Sequence, residues 1–300
     1  MPPFWKYERK DGVIHGRGSV DAKGSVATQV IAANNLLADK KIHPDDVSLL
    51  FVVGEEEGGD GMKAANDLNL KPKAILFGEP TEGKLASGHK GILGFKLQAK
   101  GKAAHSGYPW LGLSANEVMV TALAALMELG QNLPKDEKFG MTTINLGKML
   151  GGVAHNVVAE SAEAYIAVRI AQGTPAAMKN ETINAVNTAV AKFLKDGQEP
   201  ADIIDFEFTG EGHAPIDIDA DVPGFESIIV NYGTDIPNFK KTVDGQKRYL
   251  YGPGTILVAH SDHEALTEDQ LTGAVDGYEK LILHALGKKS SEEHSYKESL

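Results

Sequence analysis

The stretch Gly16-Arg17-Gly18-Ser19-Val20-Asp21-Ala22-Lys23-Gly24 opens the first organised segment of the chain. Its glycines predict a loop, and residues 22–37 place Val26, Val30, Ala33 and Leu37 at helical spacing. A loop that carries an acid into a helix is the local form of an α/β unit. Two short apolar runs follow, 49–53 and 74–77. The first ends in Gly54-Glu55-Glu56-Glu57-Gly58-Gly59 and the second in Gly78-Glu79-Pro80. The length and valine content of 49–53 predict a strand buried on both faces. Strands that deliver carboxylates at their carboxyl ends are how α/β sheets build sites.

From about Gly88 the pattern changes. Leu93, Phe95, Leu97 and Ala99 alternate with polar or small residues, as in a half-solvated strand. Ser114 with Glu117 predicts a capped helix to about Leu129. Ile166, Val168 and Ile170 alternate along another strand, with Arg169 on its opposite face. Thr174-Pro175 predicts a helix to about Leu194, and 203–208 reads as a further strand. After about Gly212 the first pattern returns. Residues 256–259 read as a strand ending in His260-Ser261-Asp262-His263-Glu264, and Thr267 with Gln270 caps a helix to about Leu286. The expected organisation is a discontinuous catalytic domain, 1–87 with 213–300, interrupted by an α+β domain at 88–212.

Composition narrows the function. The 300 residues are 42% hydrophobic and 24% charged, enough to bury a core. No run approaches ~18 apolar residues, so no membrane-spanning helix is expected. A net charge of −11 argues against nucleic acid or an anionic membrane as partner. Cysteine is absent, so any catalytic metal must sit on His, Asp and Glu.

Taken singly, Asp21 reads as a helix cap, the Glu55–Glu57 run as a solvated turn and His260 as a structural histidine. Taken together they read differently. Acids that converge at one sheet edge repel one another unless a cation neutralises them. Oxygen and imidazole donors without sulfur suit zinc, manganese or cobalt. In extended geometry, adjacent Glu55 and Glu56 would point opposite ways, one to metal and one to water. A phosphate site at Gly16-Arg17-Gly18 lacks Rossmann or P-loop spacing.

These residues resemble a known family. Residues 16–24, the Glu55-Glu56 pair, Gly78-Glu79-Pro80-Thr81, Ala104-His105-Ser106-Gly107 and Ala259-His260 are similar, in order, to the acetylornithine deacetylase and carboxypeptidase family of zinc metallopeptidases (peptidase family M20), and most of all to its fungal secreted carboxypeptidases. The resemblance implies an α/β, zinc exopeptidase-like (phosphorylase/hydrolase-like) mixed-sheet catalytic domain with an inserted α+β dimerisation or lid domain. It implies a zinc-dependent carboxypeptidase, with an N-acyl amino acid amidohydrolase, or an inactive homologue that only dimerises or binds, as alternatives.

The resemblance also assigns roles. Asp21 would bridge two zincs. Glu56 and His260 would complete one and Glu79 would serve the other. Glu55 would be the general base. His105, reaching the active site of a partner subunit in a homodimer, would stabilise the oxyanion. Asn156 and Arg169 would hold the substrate, a peptide or N-acyl amino acid, with a backbone contact from Gly254. His155, His213 and His263 read as structural. The family carries a His-x-Asp motif just before the point where this chain begins, so the chain is expected to be truncated, with a second zinc site short of one histidine and with weak activity or stability. Secretion is implied by resemblance, a cytoplasmic location being the alternative. Asn180-Glu181-Thr182 is a glycosylation sequon.

Overall fold

The computed structural model describes residues 7–288. The chain divides into two compact units, one made of Met1–Gly88, Asp217–Val230 and Thr234–Leu300, the other of His89–Ile216 and Asn231–Gly233.

In the first unit, the helix Gly24–Ala38 and the helix Glu268–Ala285 share a core of Ala32, Leu36, Ala274, Tyr278, Leu281 and Ile282. Each of these positions falls on one stripe of its helix, which is what a 3.6-residue period demands. Thr267 caps the second helix reciprocally with Gln270, as the sequence predicts. The strands Ala74–Gly78 and Lys247–Tyr251 pair in parallel, with Leu76 opposite Tyr249. Both strands therefore end on the same side, and Glu79 leaves one while Gly252 leaves the other. Tyr278 donates its hydroxyl to the Tyr251 carbonyl at 2.5 Å and ties the helix to this pair. Glu8–Lys10, Val13–His15 and Ala265–Thr267 form a small antiparallel sheet.

Two expected strands are not formed. Residues 49–53 are irregular, and Phe51 and Val53 are 60% and 79% exposed. An apolar run becomes a strand only where another strand takes up its backbone groups, and no described strand pairs with this one. Residues 256–259 instead contain the 3-10 turn Ile256–Val258, opened by Thr255, whose hydroxyl accepts from the Leu257 N–H.

The second unit is a four-stranded antiparallel sheet in the order Ile204–His213, Gly91–Lys100, Ser161–Ile170, Thr143–Gly151. Register places Leu93 opposite Val168, Phe95 opposite Ile166, Leu97 opposite Ala164 and Ala99 opposite Ala162. This alternating set forms one apolar face. The helices Ala115–Asn132 and Pro175–Val190 cover it with Val118, Met119, Leu126, Met178 and Val186. The Ser114 hydroxyl accepts from the Glu117 N–H, and the Thr174 hydroxyl from the Ala177 N–H. Helices on one face of an antiparallel sheet are the α+β arrangement.

Candidate metal centre

In the first unit, the loop from Gly16 leads through Gly18, at φ +80°, into a tight turn at Ser19–Lys23. Val20 is buried there and anchors the turn, leaving the neighbouring Asp21 side chain 14% exposed. Glu55–Glu57 form one 3-10 turn between Gly54, at φ +77°, and Gly58, at φ +113°. Glycine tolerates both left-handed positions, so the chain can reverse around three acids. The extended geometry expected for Glu55 and Glu56 is therefore replaced by a turn, in which successive side chains diverge by about 120°. Their surroundings still differ: Glu55 is half-buried and Glu56 exposed. His260 follows the turn Ile256–Val258 with a left-handed backbone, φ +59°.

These three segments converge. His260 Nε2 lies 3.1 Å from Asp21 Oδ2 and 2.9 Å from Glu56 Oε1. One donor atom from each of the three residues lies within 4.8 Å of the others. Two carboxylates and an imidazole, aimed at one point and open to solvent on one side, fit a divalent cation of the zinc, cobalt or manganese class.

The electrostatics of the group are those of crowded acids. Burial, then Glu56, raises the Asp21 carboxyl above its ordinary value, against the pull of His260. Burial, then the charges of Asp235, Asp21 and Glu56, pushes Glu55 up to about 7. Glu79 keeps partial solvent access as a residue, but its carboxyl group is enclosed. Enclosure, with Asp21, Glu55 and Glu56 behind it, raises it well above the usual carboxylate range. Glu79 feels the group electrostatically but is not one of its three clustered donors.

Gly254 is buried at φ +77°, against Val20 beneath the Asp21 turn, and its carbonyl accepts from the Glu82 N–H. In the second unit, His105 and Asn156 are brought side by side. His105 bridges to Val157, and Ser106 donates its N–H to the Asn156 carbonyl at 3.1 Å. His105 Nδ1 accepts from the Gly107 N–H at 3.0 Å. In the neutral ring this bond leaves the proton on Nε2, the outward nitrogen. Arg169 is partly buried, and burial lowers its pKa. A side chain at Gly233 would touch both Arg169 and His213, so these two line one spot.

Two residues that matter here carry no sequence signal of their own. Glu264 is 1% exposed and accepts from the N–H groups of Gly18, Val20 and Asp21 and from Arg17. Asp235 is buried, exerts the strongest charge effect on Glu55, and has Oδ2 without a hydrogen-bond partner.

Residues 87–201 match the family domain described as a peptidase dimerisation domain. The chain is 48% identical over 315 residues to a probable carboxypeptidase of Aspergillus fumigatus, covering 97% of this chain and 69% of that one. A probable carboxypeptidase of Aspergillus terreus is 49% identical over 305 residues, covering 95% and 69%. Among solved structures, a tripeptidase from Staphylococcus aureus superposes with a TM-score of 0.74 at 20% identity, over 94% of this chain and 77% of that one. An M20 family metallo-carboxypeptidase from Sulfolobus solfataricus gives 0.68 at 15% identity, over 93% and 79%. The fold is that of these structures, a mixed α/β architecture with a dimerisation domain. No helix among the described residues is long and apolar enough to cross a membrane. By close identity along nearly its whole length, this chain belongs to the M20 family of peptidases and amidohydrolases.

Proposed function

We propose that the protein is a zinc-dependent carboxypeptidase that removes a carboxyl-terminal residue from peptides. The observation that carries this reading is the convergence of Asp21, Glu56 and His260 from segments far apart in the chain. These three would hold one cation, and Asp21 with Glu79 would serve a second. When bound, such cations polarise a carbonyl and lower the pKa of water. Glu55 receives the proton of the attacking water and returns it to the departing amine. A carboxyl pushed up to about 7 is matched to that exchange near neutral pH.

The parts at 1–87 and 213–300 supply the catalytic groups, and 88–212 joins two subunits as a homodimer. The partner subunit's His105 donates from Nε2 to the developing oxyanion. Asn156 and Arg169 hold the substrate, the guanidinium facing its terminal carboxylate. Gly254 shapes the floor under Asp21. That the fungal relatives are probable carboxypeptidases favours the carboxypeptidase over the amidohydrolase reading.

The test is hydrolysis by the full chain loaded with Zn²⁺ or Co²⁺, comparing amino-terminally blocked dipeptides with N-acetyl amino acids. Metal-dependent release of the terminal amino acid from the dipeptides supports the proposal. Faster cleavage of N-acetyl amino acids converts it to an amidohydrolase. A metal-loaded protein that cleaves neither removes it.

A further inference from the structure

We propose that Glu264, acting with Arg17, is a positioning residue that fixes the spacing of the candidate ligands Asp21 and His260. The inference rests on the reading of Asp21, Glu56 and His260 as one cation-holding group.

Glu264 is buried, and its acceptors are spent on one short segment. Oε1 accepts from the Val20 N–H at 2.9 Å and from the N–H of Asp21 itself at 3.1 Å. Oε2 accepts from the Gly18 N–H at 3.1 Å and from Arg17 Nη1 at 2.6 Å. Its main-chain carbonyl accepts from the Gly16 N–H at 3.1 Å. Arg17 then reaches the other way. Its Nη2 donates to the Ser261 carbonyl at 2.8 Å, one residue beyond His260. Ser261 in turn donates its hydroxyl to the Val258 carbonyl at 2.6 Å.

The pair thus grips two loops at once. The carboxylate end holds the backbone of the Asp21 turn, and the guanidinium end holds the residue after His260. A pair serving only the core would end in the core. This one ends at the backbone N–H of one ligand and at the carbonyl next to another. His260 needs such support, because a histidine in the left-handed region is strained and persists only where its surroundings over-determine it. A buried carboxylate that fails to find these donors would be costly, so the loop closes in one geometry. Neighbours that orient ligands in this way typically contribute about 10–100-fold in metal affinity.

The experiment is Co²⁺ titration of the full-length chain, followed by visible absorption and calorimetry, with circular dichroism melts of the same samples. Arg17→Lys keeps the charge beside Glu264 but cannot also reach Ser261. Glu264→Gln removes one of the two acceptor oxygens. Both variants should melt cooperatively and bind Co²⁺ about 10-fold or more weakly than wild type. Wild-type affinity in a folded Arg17→Lys protein overturns the inference. Loss of folding in both variants also overturns it, because the pair would then be holding the domain rather than the ligand spacing. A wild-type chain that takes up no Co²⁺ refutes the cation reading instead.

Discussion

Asp235 sits against the α-carbon of Gly59, so closely that a β-carbon at Gly59 would strike Asp235 Oδ1 and the amide of Asn238. Gly59 closes the turn that carries Glu55 and Glu56, at φ +73°. Asn238 Nδ2 holds Asp235 Oδ1 at 2.8 Å from below. The acid turn therefore rests directly on a buried carboxyl group.

Gly59→Ala should be damaging for two reasons that add, the left-handed backbone and the missing space. We expect a loss of about 1–3 kcal/mol, with thermal melting lowered by roughly 2–4 °C for each kcal/mol. Differential scanning calorimetry reads this directly. A variant melting with wild type would mean that the turn relaxes freely.

The raised carboxyls give the metal-free protein an unusual pH response. Asp21, Glu55, Glu79 and Asp235 all hold protons more firmly when folded, whereas burial lowers His89 to about 4 and also lowers His213, so these two hold protons less firmly. The carboxyls should lower stability as pH rises from about 4.5 toward about 7, while the two histidines raise it as pH climbs from about 4 to 6.5. Zn²⁺ should reverse most of this loss at pH 7 by binding the native state alone. Melting temperatures across that window, with chelator and with Zn²⁺, test both halves. A Glu55→Gln protein whose metal-free melt keeps the wild-type pH dependence would contradict the crowding.

Glu55→Gln preserves size and removes the base. Hydrolysis should fall about 10²–10⁴-fold while Co²⁺ uptake by Asp21, Glu56 and His260 persists. Unchanged hydrolysis would assign the proton transfer to another group.

The run 49–53 exposes Leu49, Leu50, Phe51 and Val53 together. Contiguous apolar surface of this kind promotes association. The double variant Phe51→Asp, Val53→Lys should scatter less light at high concentration and melt within about 0.5 kcal/mol of the parent, because neither side chain is buried. A large loss of stability would show that the run packs against something.

Much of the second unit was legible because its signals are local. Caps at Ser114 and Thr174 and the alternation from Leu93 to Ala99 need only neighbouring residues to be read. The runs 49–53 and 256–259 misled for the opposite reason. Their composition favours strands, but strand formation depends on a partner that composition does not supply. A glycine loop frames Asp21 and an acid run frames Glu56, but His260 has no such frame, and the three were legible as one set only through the resemblance of their motifs. Glu264 was not legible, since its role is to accept N–H groups from a loop 243 residues earlier. Asp235 gains its importance from Glu55 and Gly59, which only the fold brings to it.

That separation has a consequence for biosynthesis. At about 5–20 residues per second, the ribosome needs on the order of 10–50 seconds to deliver Glu264 after Asp21 has emerged. The whole antiparallel sheet and its helices are made in the interval and are free to fold first. The acid-bearing amino-terminal loops must wait, unneutralised, until the last hundred residues appear. Newly made chains thus spend their most vulnerable period with one half finished and the other unsealed, which is when a chaperone would be most needed.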